Sequence, residues 1–196
     1  LTTSSAASDV YKRQTIASMT LNLLIASGIA IGGTMTVQEH IEAEYNARQD
    51  TMTQQAQKHI ANEIECLALN IYFETMAVSL ADGMAVSDVV MNRVKDSRYP
   101  NTVCEVVTQA KLDSTGFPKR HKCQFSWFCD GKADVPTNAE AWERSRKLAR
   151  DIYLHKAYIG ITEGATHYHA NYVKPKWRLS LDRTTRIGSH IFYRQK

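Results

Sequence analysis

The stretch CLALNIYFET, residues 66–75, decides how the chain is read. It holds no proline or glycine, and from Glu63 to Met76 apolar residues recur at helical spacing, with Leu67, Ile71 and Met76 near one side. A helix over 63–76 is therefore expected, with the carboxyl of Glu74 close to its end. Working outward, residues 83–94 carry a second apolar stripe of Ala85, Val86, Val89, Val90 and Val94. Thr137 and Glu140 stand at capping-box spacing before a third helix. On that helix Trp142, Ala149 and Ile152 share a face, while Glu143 and Lys147 stand one turn apart on the exposed side. Residues 97–136 hold three of the four prolines and read as loop. Residues 164–172 alternate in polarity, and residues 187–193 predict a strand able to pair with them. The sum is an α+β layout, mainly helical with a small antiparallel sheet.

The chain has 196 residues, 43% hydrophobic and 22% charged, which suits one domain with a sizeable core. Its net charge of +4 is too small by itself to name a partner. The distribution says more. From Asn171 onward there are seven cations (Lys174, Lys176, Arg178, Arg183, Arg186, Arg194, Lys196) against one anion, Asp182. Such a basic tail suits an anionic polymer or a membrane surface, or is simply a solvated face. Four cysteines permit three pairings if all are bridged, and an exported protein could keep two disulfides. Cys123 and Cys129, six apart, can close a small loop; Cys66 with Cys104 is the expected second pair.

The segments LALNIYFET, MAVSDVVMNRVKDSRYPNTVCEVV, CQFSWFCDG, AWERSRKLA, GATHYHA and IGSHIFYR follow in that order. Together they resemble the SleB-type cell wall hydrolases, a spore cortex-lytic and phage endolysin family with a lysozyme-like core. The resemblance runs from Cys66 to Tyr193. It implies glycosidic cleavage of peptidoglycan strands with Glu74 as the catalytic acid. The residues themselves agree. Tyr72, Phe73 and Met76 surround Glu74 with apolar groups, and desolvation disfavours a carboxylate anion. A carboxyl kept protonated can donate to the leaving glycosidic oxygen.

Glycosidases commonly use two carboxylates. The family motif usually continues as Ala-Arg-Gly-Glu after its catalytic glutamate, whereas Met76, Ala77 and Val78 stand here, so that second glutamate is missing. A lytic transglycosylase fits better, cleaving the MurNAc–GlcNAc bond with one carboxyl as acid and then base and leaving a 1,6-anhydro-muramoyl end. Asp88 and Asp130 could supply a second carboxylate, but capping or exposed roles are expected of both.

The loop between Cys123 and Cys129 would present Gln124, Ser126 and Trp127 to a sugar, by hydrogen bonding and by an indole face. Phe125 is expected in the core. His167 and His169 alternate on a strand and face one way, with Thr166 and Tyr168 on the other; whichever face points inward would line a glycan cleft. His-x-His spacing can bind zinc, but no further ligand stands at a telling spacing, so neither metal nor cofactor is expected. Asn92 and Arg93 interrupt an apolar helix and are given structural roles. The alternatives are a hydrolytic muramidase or glucosaminidase, a cysteine peptidase using His167 or His169, a zinc amidase, and an inactive wall-binding module.

Ser4 to Gln14 reads SSAASDVYKRQ, which back-translates to a transposon adapter read in frame, so residues 1–14 are set aside. Residues 15–37 carry no charge and are long enough to span a bilayer as a helix of about 1.5 Å per residue. This span is diluted by Asn22, Gly28, Gly32 and Gly33. It reads as an inner-membrane anchor, a signal peptide, or a segment resembling the signal-arrest-release helices of some phage endolysins. Residues 38–60 read as a polar helical linker and 61–196 as the catalytic domain. The expected molecule is a periplasmic or otherwise extracytoplasmic monomer that binds glycan strands and no nucleic acid.

Overall fold

Thr36 and Glu39 open the first helix, α1 (Val37–Thr75), with a reciprocal capping box. The Thr36 N–H reaches the Glu39 carboxylate at 2.8 Å, and the Glu39 N–H reaches the Thr36 hydroxyl at 3.2 Å. This computed structural model describes residues 35–75 and 79–195. Residues 1–34, with the adapter reading and most of the span reading, lie outside them, as does the Met76–Val78 stretch. No described helix is long and apolar enough to cross a membrane.

The chain divides into two compact units, residues 1–50 and 51–196. In the first, the described residues are helical from Val37 and none is buried; Glu44 pairs with His40 (3.3 Å) and Arg48 (3.9 Å), each one turn away. In the second, burial on α1 begins at Glu63 and continues through Leu67, Ala68, Asn70, Ile71 and Tyr72. The helix expected over 63–76 is therefore the end of a 39-residue element. Its polar first half takes in residues 38–60, expected as a polar helical linker.

After α1 come α2 (Leu80–Lys95), α3 (Val103–Val107), β1 (Ala110–Leu112), β2 (Pro118–Cys123), a 3₁₀ turn (Ser126–Cys129) and α4 (Ala139–His155). Then follow β3 (His167–Ala170), a second 3₁₀ turn (Lys176–Ser180), β4 (Asp182–Ile187) and β5 (His190–Arg194). The fold is α+β, mainly helical. One core cluster joins Leu67 and Ile71 of α1, Val86 and Val90 of α2, Val103, Val106 and Val107 of α3, and Leu148, Ala149 and Ile152 of α4. Phe125 and Trp127 close it. A smaller cluster of Ala85, Val89, Ala165 and Phe192 joins α2 to the sheet. Removal of this apolar area from water is what holds the layers together.

Polar bonds fix the register of these layers. Cys66 and Cys104 are disulfide-bonded, tying α1 to α3, and the buried Glu63 carboxylate caps α3 by accepting the Val103 (2.6 Å) and Cys104 (3.3 Å) N–H groups. Asn92 donates to the Ala165 carbonyl at 3.0 Å. Asp88 accepts from the Gly160 and Thr162 N–H groups and the Thr162 hydroxyl at 2.6–2.9 Å. Asp88 is thus a buried staple for the loop before β3, not a second catalytic carboxylate.

The sheet runs β3-β5-β4, antiparallel throughout, with Tyr168 opposite Phe192 and His169 opposite Ile191. The β3–β5 pairing matches the expected one. Strand β4 and the β1–β2 hairpin are additions, since DRTTRI and PKRHKC carry no apolar face to signal a strand. The β4–β5 turn needs Gly188, which has a φ of +54° and whose Cβ, if present, would collide with the Asp82 carboxylate.

Two local expectations on α4 are corrected. The N-cap is Asn138, not Thr137: its side chain accepts the Ala141 N–H at 2.9 Å. The Thr137 and Asn138 N–H groups both donate to the Tyr72 hydroxyl at 3.1 Å, which shifts the cap by one residue. Glu143 pairs with Arg146 (3.1 Å) in place of Lys147.

Candidate active site

Glu74 is the second-last residue of α1, and α1 has no basic residue in its last turn. The helix C-terminus carries partial negative charge, which opposes a carboxylate anion there. Tyr168 on β3 reaches it, the phenol hydroxyl donating to Glu74 Oε2 at 2.8 Å. Burial pushes the Glu74 carboxyl above the ordinary glutamate value; the Tyr168 hydrogen bond and the charges of His190 and Arg93 oppose this without cancelling it. The Tyr168 phenol is itself pushed well above its ordinary value, by burial and then by the Glu74 charge, so it stays a donor. Its ring is held edge-on to His190, with centroids 5.2 Å apart, and tilted against Phe192 at 5.8 Å.

His190 is anchored in turn. Its Nδ1 lies 2.8 Å from Asp82 Oδ1, an oxygen that also accepts the Ser189 N–H at 2.9 Å. Burial pushes Asp82 upward, but the hydrogen bonds from His190, Ser189 and Ser79 outweigh it and hold the carboxyl below its ordinary value.

Glu74 and Tyr168 open onto a cleft of about 310 Å³ whose other walls are Arg93, Gln124, Phe125, Ser126, His167 and Trp177. Arg93 is 5% exposed; its Nε donates to the Thr166 carbonyl at 2.8 Å, and its guanidinium packs over Tyr99 (5.2 Å) and Phe125 (5.3 Å). His167 is held below the ordinary histidine value by burial and then by the charges of Arg93 and Arg98, so it is neutral at pH 7. Among the described residues Glu74 is the sole carboxylate lining this cleft. A larger groove of about 430 Å³ lies on another side of α1, among Ile71, Leu80, Gly83 and Leu148, and offers no acid. The arrangement can donate one proton and hold a polar, ring-shaped ligand against Trp177.

Residues 79–193, well over half the chain, match the family model described as Cell Wall Hydrolase. The chain belongs to the cell wall hydrolase family. It is a peptidoglycan-degrading enzyme. The family match begins five residues after Glu74. The comparison with curated proteins gave no match. Among solved structures the chain is similar to the catalytic domain of the Bacillus cereus SleB protein, with 25% identity over 68% of this chain and 91% of that one and a TM-score of 0.48. It is also similar to the catalytic domain of the germination-specific lytic transglycosylase SleB from Bacillus anthracis, with 26% identity over 68% and 94% and the same TM-score.

In this hydrolase Gln124 and Ser126 are exposed in the cleft, where the loop closed by the Cys123–Cys129 disulfide carries them. Trp127 is not beside them. It is 8% exposed, stacks on Phe73 at 5.1 Å and donates its indole N–H to Asn70 Oδ1 at 3.0 Å, as a core residue does. His169 also leaves the cleft: it is buried, stacked on Tyr193, with its ring nitrogens near the Ala170 carbonyl (2.8 Å) and the Tyr193 hydroxyl (3.0 Å). His167 and Tyr168 both line the cleft although they alternate on β3, because His167 sits at the strand's start beside Trp177. All four cysteines are disulfide-bonded, which removes a thiol nucleophile. Asp130 does not line the cleft; its carboxylate faces Lys132 at 3.7 Å. Sequence reasoning missed Trp177, which no motif marks, and the cleft-facing part of Arg93's role.

Proposed function

We propose that this enzyme is a lytic transglycosylase that cleaves the MurNAc–GlcNAc bond with Glu74 acting first as acid and then as base. The observation that carries the reading is a half-buried carboxyl, raised by burial and alone of its kind among the described residues of its cleft. With Oε2 accepting from Tyr168, the acid proton belongs on Oε1. Glu74 passes that proton to the glycosidic oxygen as the bond to C1 breaks, and the GlcNAc-side alcohol leaves. The resulting carboxylate, steadied by Tyr168, takes the proton from the substrate's own 6-hydroxyl while that oxygen bonds to C1, closing the 1,6-anhydro ring. Tyr168 donating throughout favours the carboxylate that forms midway, which is where a donor helps the rate.

Hydrolysis would need a base to activate water, and a second carboxylate is the usual one. Asp88 is committed to backbone N–H groups and Asp82 to the β4–β5 turn. Gln124, Ser126 and neutral His167 are placed to hydrogen-bond sugar hydroxyls or acetamido groups, and Trp177 to offer a ring face. Residues 61–196 form the catalytic domain in this reading, working as a monomer outside the cytoplasm, with residues 15–37 serving export or anchoring. Mass spectrometry of digested sacculi tests the chemistry. Anhydro-muramoyl ends are expected; reducing muramic acid or glucosamine ends would replace the proposal with a hydrolase.

A further inference from the structure

The cations after Asn171 are crowded in sequence, seven of them against one acid, Asp182. Lys174, Lys176, Arg178, Arg183, Arg186 and Arg194 form no ion pair with any described residue, as also holds for Lys119, Arg120 and Lys122 on β2, but only the first group adjoins the Glu74 cleft. Lys174, Lys176, Arg183 and Arg186 are exposed. They lie along one continuous piece of chain: the lead into the second 3₁₀ turn, that turn, and β4, the edge strand of the sheet. Interleaved with them are Tyr172 and Leu179, 83% and 78% exposed. The surface starts at the cleft itself. Trp177, between Lys176 and Arg178, packs on His167, His169 and Tyr193 with centroids 5.6 Å away, and it forms a wall of the Glu74 cleft.

We propose that this surface is an extended substrate-binding site that takes the carboxylates of the peptide stems borne by the glycan strand lying in the cleft. The proposal rests on reading the Glu74 cleft as the glycan site. Charge complementarity and continuity with that cleft favour this occupant. A glycan strand leaving the cleft past Trp177 brings its acidic stems over the 3₁₀ turn and β4, where unpaired cations and an exposed aromatic side chain await them. A membrane surface fits less well, since interfacial anchoring uses a long amphipathic helix with a continuous apolar face, and this surface is built from a five-residue turn and a polar edge strand. Exposed ion pairs are individually weak and screened by salt, so several must act together.

The test uses the full chain carrying Glu74→Gln, with and without K174S/K176S/R183S/R186S. Co-sedimentation is measured on intact sacculi freed of phosphodiester polymers, on the same sacculi with their stem carboxylates amidated by carbodiimide and ammonia, and on anionic lipid vesicles. Matching thermal melts establish that the fourfold variant folds. About tenfold weaker binding of that variant to intact sacculi is expected, with the difference vanishing at high salt and on amidated sacculi. Equal binding of the two proteins to intact sacculi, an equal tenfold difference on amidated sacculi, or cation-dependent binding to vesicles but not to sacculi would each overturn the proposal. Failure of the acid assignment shows separately, as digestion by the Glu74→Gln protein, and leaves the binding comparison intact.

Discussion

Glu74 and Asp82 are eight residues apart, one at the end of α1 and one in the first turn of α2, and they titrate in opposite directions. Burial raises the carboxyl of each, and what differs is how far hydrogen-bond donors offset it. The supply of donors decides. Asp82 has Ser189, His190 and Ser79 around it and sits at a helix N-terminus, whose dipole favours an anion. Glu74 sits at a helix C-terminus, with Tyr168 as its hydrogen-bond donor. At one carboxyl the surroundings favour the anion that braces a turn; at the other, burial disfavours it.

Removing donors should break this contrast in measurable order. Tyr168→Phe takes away the donor to Glu74, so the intermediate carboxylate loses a charge-assisted hydrogen bond of about 1.5–3 kcal/mol, roughly ten- to hundredfold in kcat/KM. Because that bond lowers the Glu74 value, its loss raises it further, and the alkaline limb of the kcat/KM profile should move to higher pH; a limb that moves down contradicts the assignment.

Asp82→Asn should cost about 1–3 kcal/mol of folding stability in neutral denaturant melts by weakening the brace on the β4–β5 turn. The sign with pH follows from the depressed value. The Asp82 contribution is present above the unfolded aspartate value of 3.8 and is lost as pH falls through the lower folded one, so the gap between variant and parent should close in acid.

The smallest effect is expected from Glu74 on stability. Its folded value is raised, so its contribution is present below the unfolded value of 4.5 and lost as pH rises through the folded one. Thermal melts should therefore show Glu74→Gln gaining on the parent as pH rises above 4.5; a gap that does not change with pH would mean the carboxyl is not desolvated.

How much of this was legible beforehand follows from where periodicity exists. The stripes of α2 and α4 bury Val86, Val90, Ala149 and Ile152, and such stripes are visible in one dimension. Strand β4 and the β1–β2 hairpin carry mainly polar residues, and only pairing geometry defines them. Glu74 could be singled out because an ordered motif and an apolar setting coincide there. The two tryptophans could not be told apart: Trp127 lies in the motif-bearing disulfide loop and goes inward to Asn70 and Phe73, while Trp177 lies in an unremarkable basic segment and forms the cleft wall. Side-chain direction in a 3₁₀ turn depends on tertiary packing, which spacing does not encode. The same holds for His167 and His169, whose shared strand face still leaves one in the cleft and the other against Tyr193.

The central claim is that the proton delivered to the wall polymer comes from Glu74. Release of soluble fragments from purified sacculi by Glu74→Gln, which keeps the shape of the side chain and removes its proton, is the direct measurement. A rate lower by at least about a hundredfold is predicted, given what general acid catalysis contributes. Digestion at the parental rate would contradict the account.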